Sequence, residues 1–189
     1  RDQMTVLSIG EMFWVRRLSA DEEVLYLAKK AEKETKMNHK PDIYFAGSIT
    51  SGRDDQPIYA EIIRLLSLYG RVLTSHVGNA RLTVFGEQDH LPCAVYERNM
   101  GWLAQSKAMV AEATIPSFGV GYEVAKAEGL SMPVLLLYRG YPDHRLTAMA
   151  GGNPFLRVVH YHQLAELENH FRVFFEAVRL TALWRMSTV

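Results

Sequence analysis

The sequence predicts a doubly wound α/β domain over residues 41–189, a five-stranded parallel sheet flanked by helices. Three observations carry this expectation. From residue 41 to the end, short apolar runs alternate with segments of helical period. One run, "MPVLLLYR" (132–139), is apolar without alternation, as a strand covered on both faces must be. The stretches after two of the runs, 47–53 and 114–121, are rich in glycine and small hydroxyl residues, as ligand-binding loops at the carboxyl ends of parallel strands often are.

Taken in order, "DIYFAGSI" (42–49) reads as a buried strand ending in a Gly-Ser turn. Asp54, Asp55 and Pro57 open a helix, because acidic residues and an early proline suit a first turn. Its apolar stripe is Ile58, Ile62, Leu65, Leu66 and Tyr69, and Gly70 ends it. "RVLTSHV" (71–77) reads as a second strand, followed by a polar loop over 78–92. A helix at 93–106 and a strand at "KAMVAEAT" (107–114) come next. Then "IPSFGVGYEVAKA" (115–127) opens a helix that runs to Gly129. After the 132–139 strand, a loop and short helix fill 140–152 and "FLRVVHY" (155–161) is the fifth strand. A terminal helix carries Leu164, Leu167, Phe171, Phe174, Phe175 and Val178. This alternation is Rossmann-like or flavodoxin-like, and such sheets bind ligands where the strand order reverses.

Residues 1–40 read as a separate N-terminal helical extension. Ser19 and Glu22 make a capping box ahead of the charged stretch "DEEVLYLAKKAEKETK", and no chemistry is legible there.

Composition removes several classes of function. The 21 basic and 21 acidic residues balance, so the excess positive charge of a nucleic-acid binder is missing. With Cys93 alone, neither an internal disulfide nor a cysteine zinc site can be built. The longest apolar runs, such as Pro133 to Tyr138, are too short to span a bilayer. The histidines form no metal pattern, so no metal is expected. Together with the missing secretory signal, these features lead us to expect a cytoplasmic or nuclear protein.

Two loops could carry chemistry. The first, Gly47-Ser48-Ile49-Thr50-Ser51-Gly52-Arg53, offers backbone N–H groups and a helix N-terminus to a phosphate or carboxylate, although it matches neither a Walker loop nor a dinucleotide fingerprint. In the second, Ser117 caps a helix, Gly119 permits close approach, and Glu123 is placed in the first turn. There the helix dipole favours an ionised carboxylate. Such a group serves either as a cap or as a nucleophile, and this segment alone leaves both open.

Together the segments resemble the 2'-deoxynucleoside 5'-monophosphate N-glycosidases of the nucleoside 2-deoxyribosyltransferase superfamily. The resemblance rests on "IYFAGSITSGRDD", "YGRVLTSHV", "ERNMGWLAQSKAMVAEATIPSFGVGYEVAKA" and "PVLLLYR", with "RLTAMAGG" as a looser match, in order over 41–160. It implies hydrolysis of a deoxynucleoside monophosphate to free base and 2-deoxyribose 5-phosphate. Glu123 would be the nucleophile and Tyr44 its neighbour near the sugar, with the 47–53 loop, Ser117 and Gly119 as the phosphate cradle. His76 would lie near the base, and the resemblance implies no cofactor. Thr147, with Ala148 and Met149 beside it, would reach into the site of a second subunit in a homodimer.

Three departures stand out. Asn99 occupies a position where the family usually has an aspartate, so the general-acid step is in question and restoring Asp is expected to raise the rate. Thr50-Ser51 replaces an Arg-Gly pair, and Thr147 replaces serine. The alternatives are a deoxyribosyltransferase, or a catalytically silent nucleotide-binding protein that Asn99 would favour.

Overall fold

The computed structural model describes residues 5–9, 12–16, 40–140 and 146–187, with side chains over 40–140 and 146–180. The chain divides into two units, 1–40 and 41–189, which are taken separately. In the first, β1 (Thr5–Ile9) pairs antiparallel with β2 (Met12–Arg16), Thr5 opposite Arg16 and Ile9 opposite Met12. A helical extension was expected, yet this part is a strand pair. The reason is local: Val, Ile, Phe and Trp are strand formers, and the two runs are separated by only Gly10 and Glu11. The capping box and charged helix expected after Ser19 lie outside the described residues.

The second unit contains β3 (Asp42–Ala46), α1 (Gln56–Leu66), β4 (Arg71–Val72), α2 (Pro92–Gln105) and β5 (Ala108–Glu112). It continues with α3 (Phe118–Gly129), β6 (Val134–Arg139), α4 (Ala148–Gly151), β7 (Leu156–Tyr161) and α5 (Leu167–Ser187). The sheet order is β4-β3-β5-β6-β7, and every neighbouring pair is parallel. This is the flavodoxin-like order, which reverses between β3 and β5.

Because side chains alternate along a strand, the sheet feeds two cores. Ile43, Phe45, Val110, Leu135, Leu137 and Tyr161 face one way and pack with Ile62 and Leu66 of α1 and Phe171 and Phe174 of α5. Tyr44, Ala46, Met109, Ala111 and Leu136 face the other way, against Leu103 of α2 and Val120, Val124 and Ala127 of α3. Each large side chain fully removed from water contributes on the order of 1.5–3 kcal/mol, so both layers anchor the strand ends that carry the loops.

The second strand is much shorter than 71–77. It ends at Val72, and a 3-10 turn, Ser75–Gly78, follows. Thr74 explains the stop: its hydroxyl donates to the Phe45 carbonyl at 2.6 Å and accepts from the Phe45 N–H at 2.9 Å. A side chain thus occupies the place of the next backbone rung, and the chain turns away carrying His76.

Candidate active site

The site begins with Tyr44 and Glu123. Tyr44 is 1% exposed, on the sheet face covered by α2 and α3, and its hydroxyl donates to Glu123 Oε1 at 2.6 Å. Ser117 is the N-cap of α3 as expected, its Oγ accepting from the Val120 N–H at 3.4 Å. However, the helix starts at Phe118, so Glu123 is its sixth residue and lies in the second turn rather than the first. It falls on the stripe of Val120, Val124 and Ala127 that faces the sheet.

That position reverses the electrostatic expectation. Burial raises the Glu123 pKa above the ordinary carboxylate value, and the hydrogen bond from Tyr44 only partly opposes the rise. Desolvation outweighs the helix dipole, whose influence fades beyond the first turn. Burial also pushes the Tyr44 phenol far up, with the Glu123 charge adding to it, so Tyr44 stays a donor.

Both residues line a cleft of about 210 Å³ at the switch point of the sheet. Gly47, Ile49 and Thr50 line it too, together with His76 and Asn99. Gly47 is needed for packing, since a Cβ there would lie 3.1 Å from the Tyr59 ring. Ser48 is fully buried and does not line the cleft, and its Oγ has no hydrogen-bond partner among the described residues.

The rest of the expected cradle sits elsewhere. Ser51 and Gly52 do not line the cleft, and Gly52 supplies a φ of 129° for the turn. Arg53 donates to the carbonyls of Leu82, Val77 and Asn79, each at 3.0 Å, and so ties the 77–82 segment to the loop. Ser117 and Gly119 are also outside the lining. Thr147 caps α4 through the Ala150 N–H at 3.4 Å, and Ala148 and Met149 beside it are exposed and away from the cleft.

Sequence reasoning missed the residues around Asn99. Arg98 grips Glu87 at two points, 2.7 and 2.5 Å, and stacks over the Trp102 ring at 4.6 Å. It also donates to Asn99 Oδ1 from Nη2 at 3.0 Å and Nε at 3.3 Å. Glu87 lines the cleft, and the hydrogen bond from Arg98 holds its pKa below the ordinary value. His76 Nε2 is 3.4 Å from Glu87, but burial lowers its pKa. The signal available was an arginine beside the unusual asparagine, and local spacing gave it no partner.

A buried brace lies on the other face of the sheet. Arg139 pairs with Asp55, and its Nε is 3.7 Å from the fully buried Glu112. Glu112 also accepts from Tyr161 Oη at 3.1 Å and from the Thr114 N–H at 3.2 Å. The ends of β5, β6 and β7 are thereby joined to the residue just before α1. Among the described residues, no His, Cys, Asp and Glu side chains cluster to hold a metal ion.

No protein-family model matches the chain. A 5-hydroxymethyl-dUMP N-hydrolase from Danio rerio is 39% identical over 140 residues, covering 72% of this chain and 97% of that protein. The Rattus norvegicus protein of the same name is 44% identical over 114 residues, 58% of this chain and 68% of its own length. Among solved structures, a CMP N-glycosidase from Clostridium botulinum superposes with a TM-score of 0.52 at 12% identity, over 70% of this chain and 98% of that one, and so supports the fold. A flavodoxin-like sheet with a carboxylate in its switch-point cleft is here the frame of an N-glycosidase. The chain belongs to the 2'-deoxynucleoside 5'-phosphate N-hydrolase family.

Proposed function

We propose that this chain hydrolyses the N-glycosidic bond of 2'-deoxynucleoside 5'-monophosphates, with Glu123 as the attacking carboxylate. The observation that carries the reading is the 2.6 Å contact between Tyr44 and Glu123 inside the cleft. Glu123 attacks the anomeric carbon to give a glycosyl-enzyme, and water resolves it. Tyr44 fixes which carboxylate oxygen is free to attack. The phosphate sits on the backbone of Gly47, Ile49 and Thr50, which line the cleft, and the base lies towards His76 and Asn99.

We also infer a homodimer. Thr147 and Met149 do not line their own cleft, and Met149 is 86% exposed, one of several uncovered large apolar side chains that include Phe118 and Leu91. In a pair of subunits, the Thr147 hydroxyl would donate to the phosphate in the neighbouring cleft.

The test is incubation with each deoxynucleoside monophosphate, with and without an acceptor base, following free base by chromatography. Release without acceptor supports hydrolysis, and exchange only with acceptor supports a deoxyribosyltransferase. Binding without turnover would make the chain a silent nucleotide binder and overturn the reading.

A further inference from the structure

We propose that Asn99 is a catalytic hydrogen-bond donor that stabilises the departing base as an anion, so that turnover rises with the acidity of the leaving base. The inference rests on the hydrolase reading above. Arg98 decides how the amide is turned. A guanidinium can only donate, so the oxygen of Asn99 must be the atom facing Nη2 at 3.0 Å and Nε at 3.3 Å. With Oδ1 engaged twice, the capacity left to the side chain is the N–H pair of Nδ2. Arg98 is itself held by Glu87 and Trp102, so the amide cannot rotate freely. Asn99 lines the cleft with Glu123 and Tyr44, which places this fixed donor within the reacting site.

The other titratable groups lining the cleft are poor acids. Tyr44 is committed to Glu123. Arg98 keeps Glu87 ionised. Burial disfavours the charged form of His76. Catalysis then depends on stabilising charge in place, as an oxyanion hole does.

The electrons balance without an acid. A Glu123 oxygen forms a bond to C1', the C1'–N bond breaks, and its electron pair leaves with the base nitrogen. For a pyrimidine this charge spreads to the 2-carbonyl oxygen, where an Nδ2 N–H is a suitable donor. Water then bonds to C1', the ester to Glu123 breaks to restore the carboxylate, and the water proton ends on the base anion.

Arg98 also reverses the sequence-based expectation for the aspartate variant. A carboxylate at this position would be held ionised by the guanidinium and could neither donate a hydrogen bond nor deliver a proton.

The experiment uses the full chain and the 5'-monophosphates of 5-fluoro-, 5-bromo-, unsubstituted and 5-methyl-2'-deoxyuridine, with single-turnover rates of base release. The rate should climb steeply with the acidity of the leaving base. At pH 7, Asn99→Asp should lose roughly 10²-fold, the usual loss of one preorganised donor, and its deficit relative to wild type at the same pH should narrow as the pH falls, since Glu123 titrates in both proteins. Asn99→Ala should lose as much without recovery. Base release with no dependence on the leaving group overturns the proposal and leaves the hydrolase reading standing. An Asn99→Asp rate at or above wild type at pH 7 also overturns it. If no base is released from any substrate, both readings fall together. The leaving-group series needs no variant, so misfolding cannot obscure the answer.

Discussion

Tyr44 and Glu123 are 79 residues apart in the chain and 2.6 Å apart in the cleft, joined by a hydrogen bond from phenol to carboxylate. Two opposed effects meet on Glu123: burial raises its pKa, and Tyr44 lowers it again. Removing the donor leaves only the rise. If Glu123 is the nucleophile we propose, Tyr44→Phe should therefore move the acid limb of kcat/KM to higher pH, because the attacking carboxylate must be ionised and now ionises later. A pH–rate profile checks this; an unmoved limb would mean that Tyr44 does not control the nucleophile.

The same burial predicts a stability cost at neutral pH. A carboxylate whose folded pKa exceeds its unfolded value holds more protons in the folded state, so its contribution to stability falls as pH rises between the two values. Glu123→Gln has no charge to bury and should raise Tm at pH 7, while the gain shrinks near pH 4. It should also abolish turnover. Thermal unfolding at the two pH values reads the first effect, and an equal gain at both would refute the assignment to burial of charge.

Gly47 is hemmed in by Tyr59, which is itself fully buried and packed edge-on against Phe45 at 5.9 Å. A methyl group 3.1–3.2 Å from that ring has no compliant neighbour to displace. Gly47→Ala should shift the first loop and raise KM for the monophosphate far more than it lowers kcat. Steady-state kinetics with KM unchanged would remove the loop from the phosphate site.

Arg139 tests the brace. Truncation to Met strands Asp55 and the fully buried Glu112 without their shared cation. Breaking a buried pair by removing one partner costs about 3–5 kcal/mol. Chemical denaturation should show a loss of that order for Arg139→Met, with part of it recovered in Arg139→Lys. A near-neutral Arg139→Met would show that the two carboxylates are already compensated by Thr114 and Tyr161.

Much of this architecture was legible locally. The apolar runs at 42–46, 108–112 and 134–139 form β3, β5 and β6, because burial on both faces leaves a continuous apolar signature, and the run at 156–161 forms the edge strand β7, where Arg157 and His160 are exposed. Tyr44, Gly47, Ile49, Thr50, His76, Asn99 and Glu123 were all named from sequence and do share one cleft. The misses have physical causes. "RVLTSHV" keeps strand-like alternation beyond the point where Thr74 replaces a backbone rung, so composition overran the hydrogen bonding. Glu123 was judged by the helix dipole, whereas its spacing from Val120, Val124 and Ala127 placed it on the buried stripe. Arg53 and Arg98 were out of reach for another reason. Their partners lie 24–29 and 11 residues away, across loops with no period to read.

The Thr74 substitution for a rung has a consequence beyond the site. An edge strand normally offers a row of unsatisfied N–H and C=O groups on which another chain can add a strand and begin a fibre. Here that edge is two residues long, and its continuation along β3 is already sealed by a threonine hydroxyl. The bend that carries His76 into the cleft thus also blunts the β4 margin of the sheet against polymerisation.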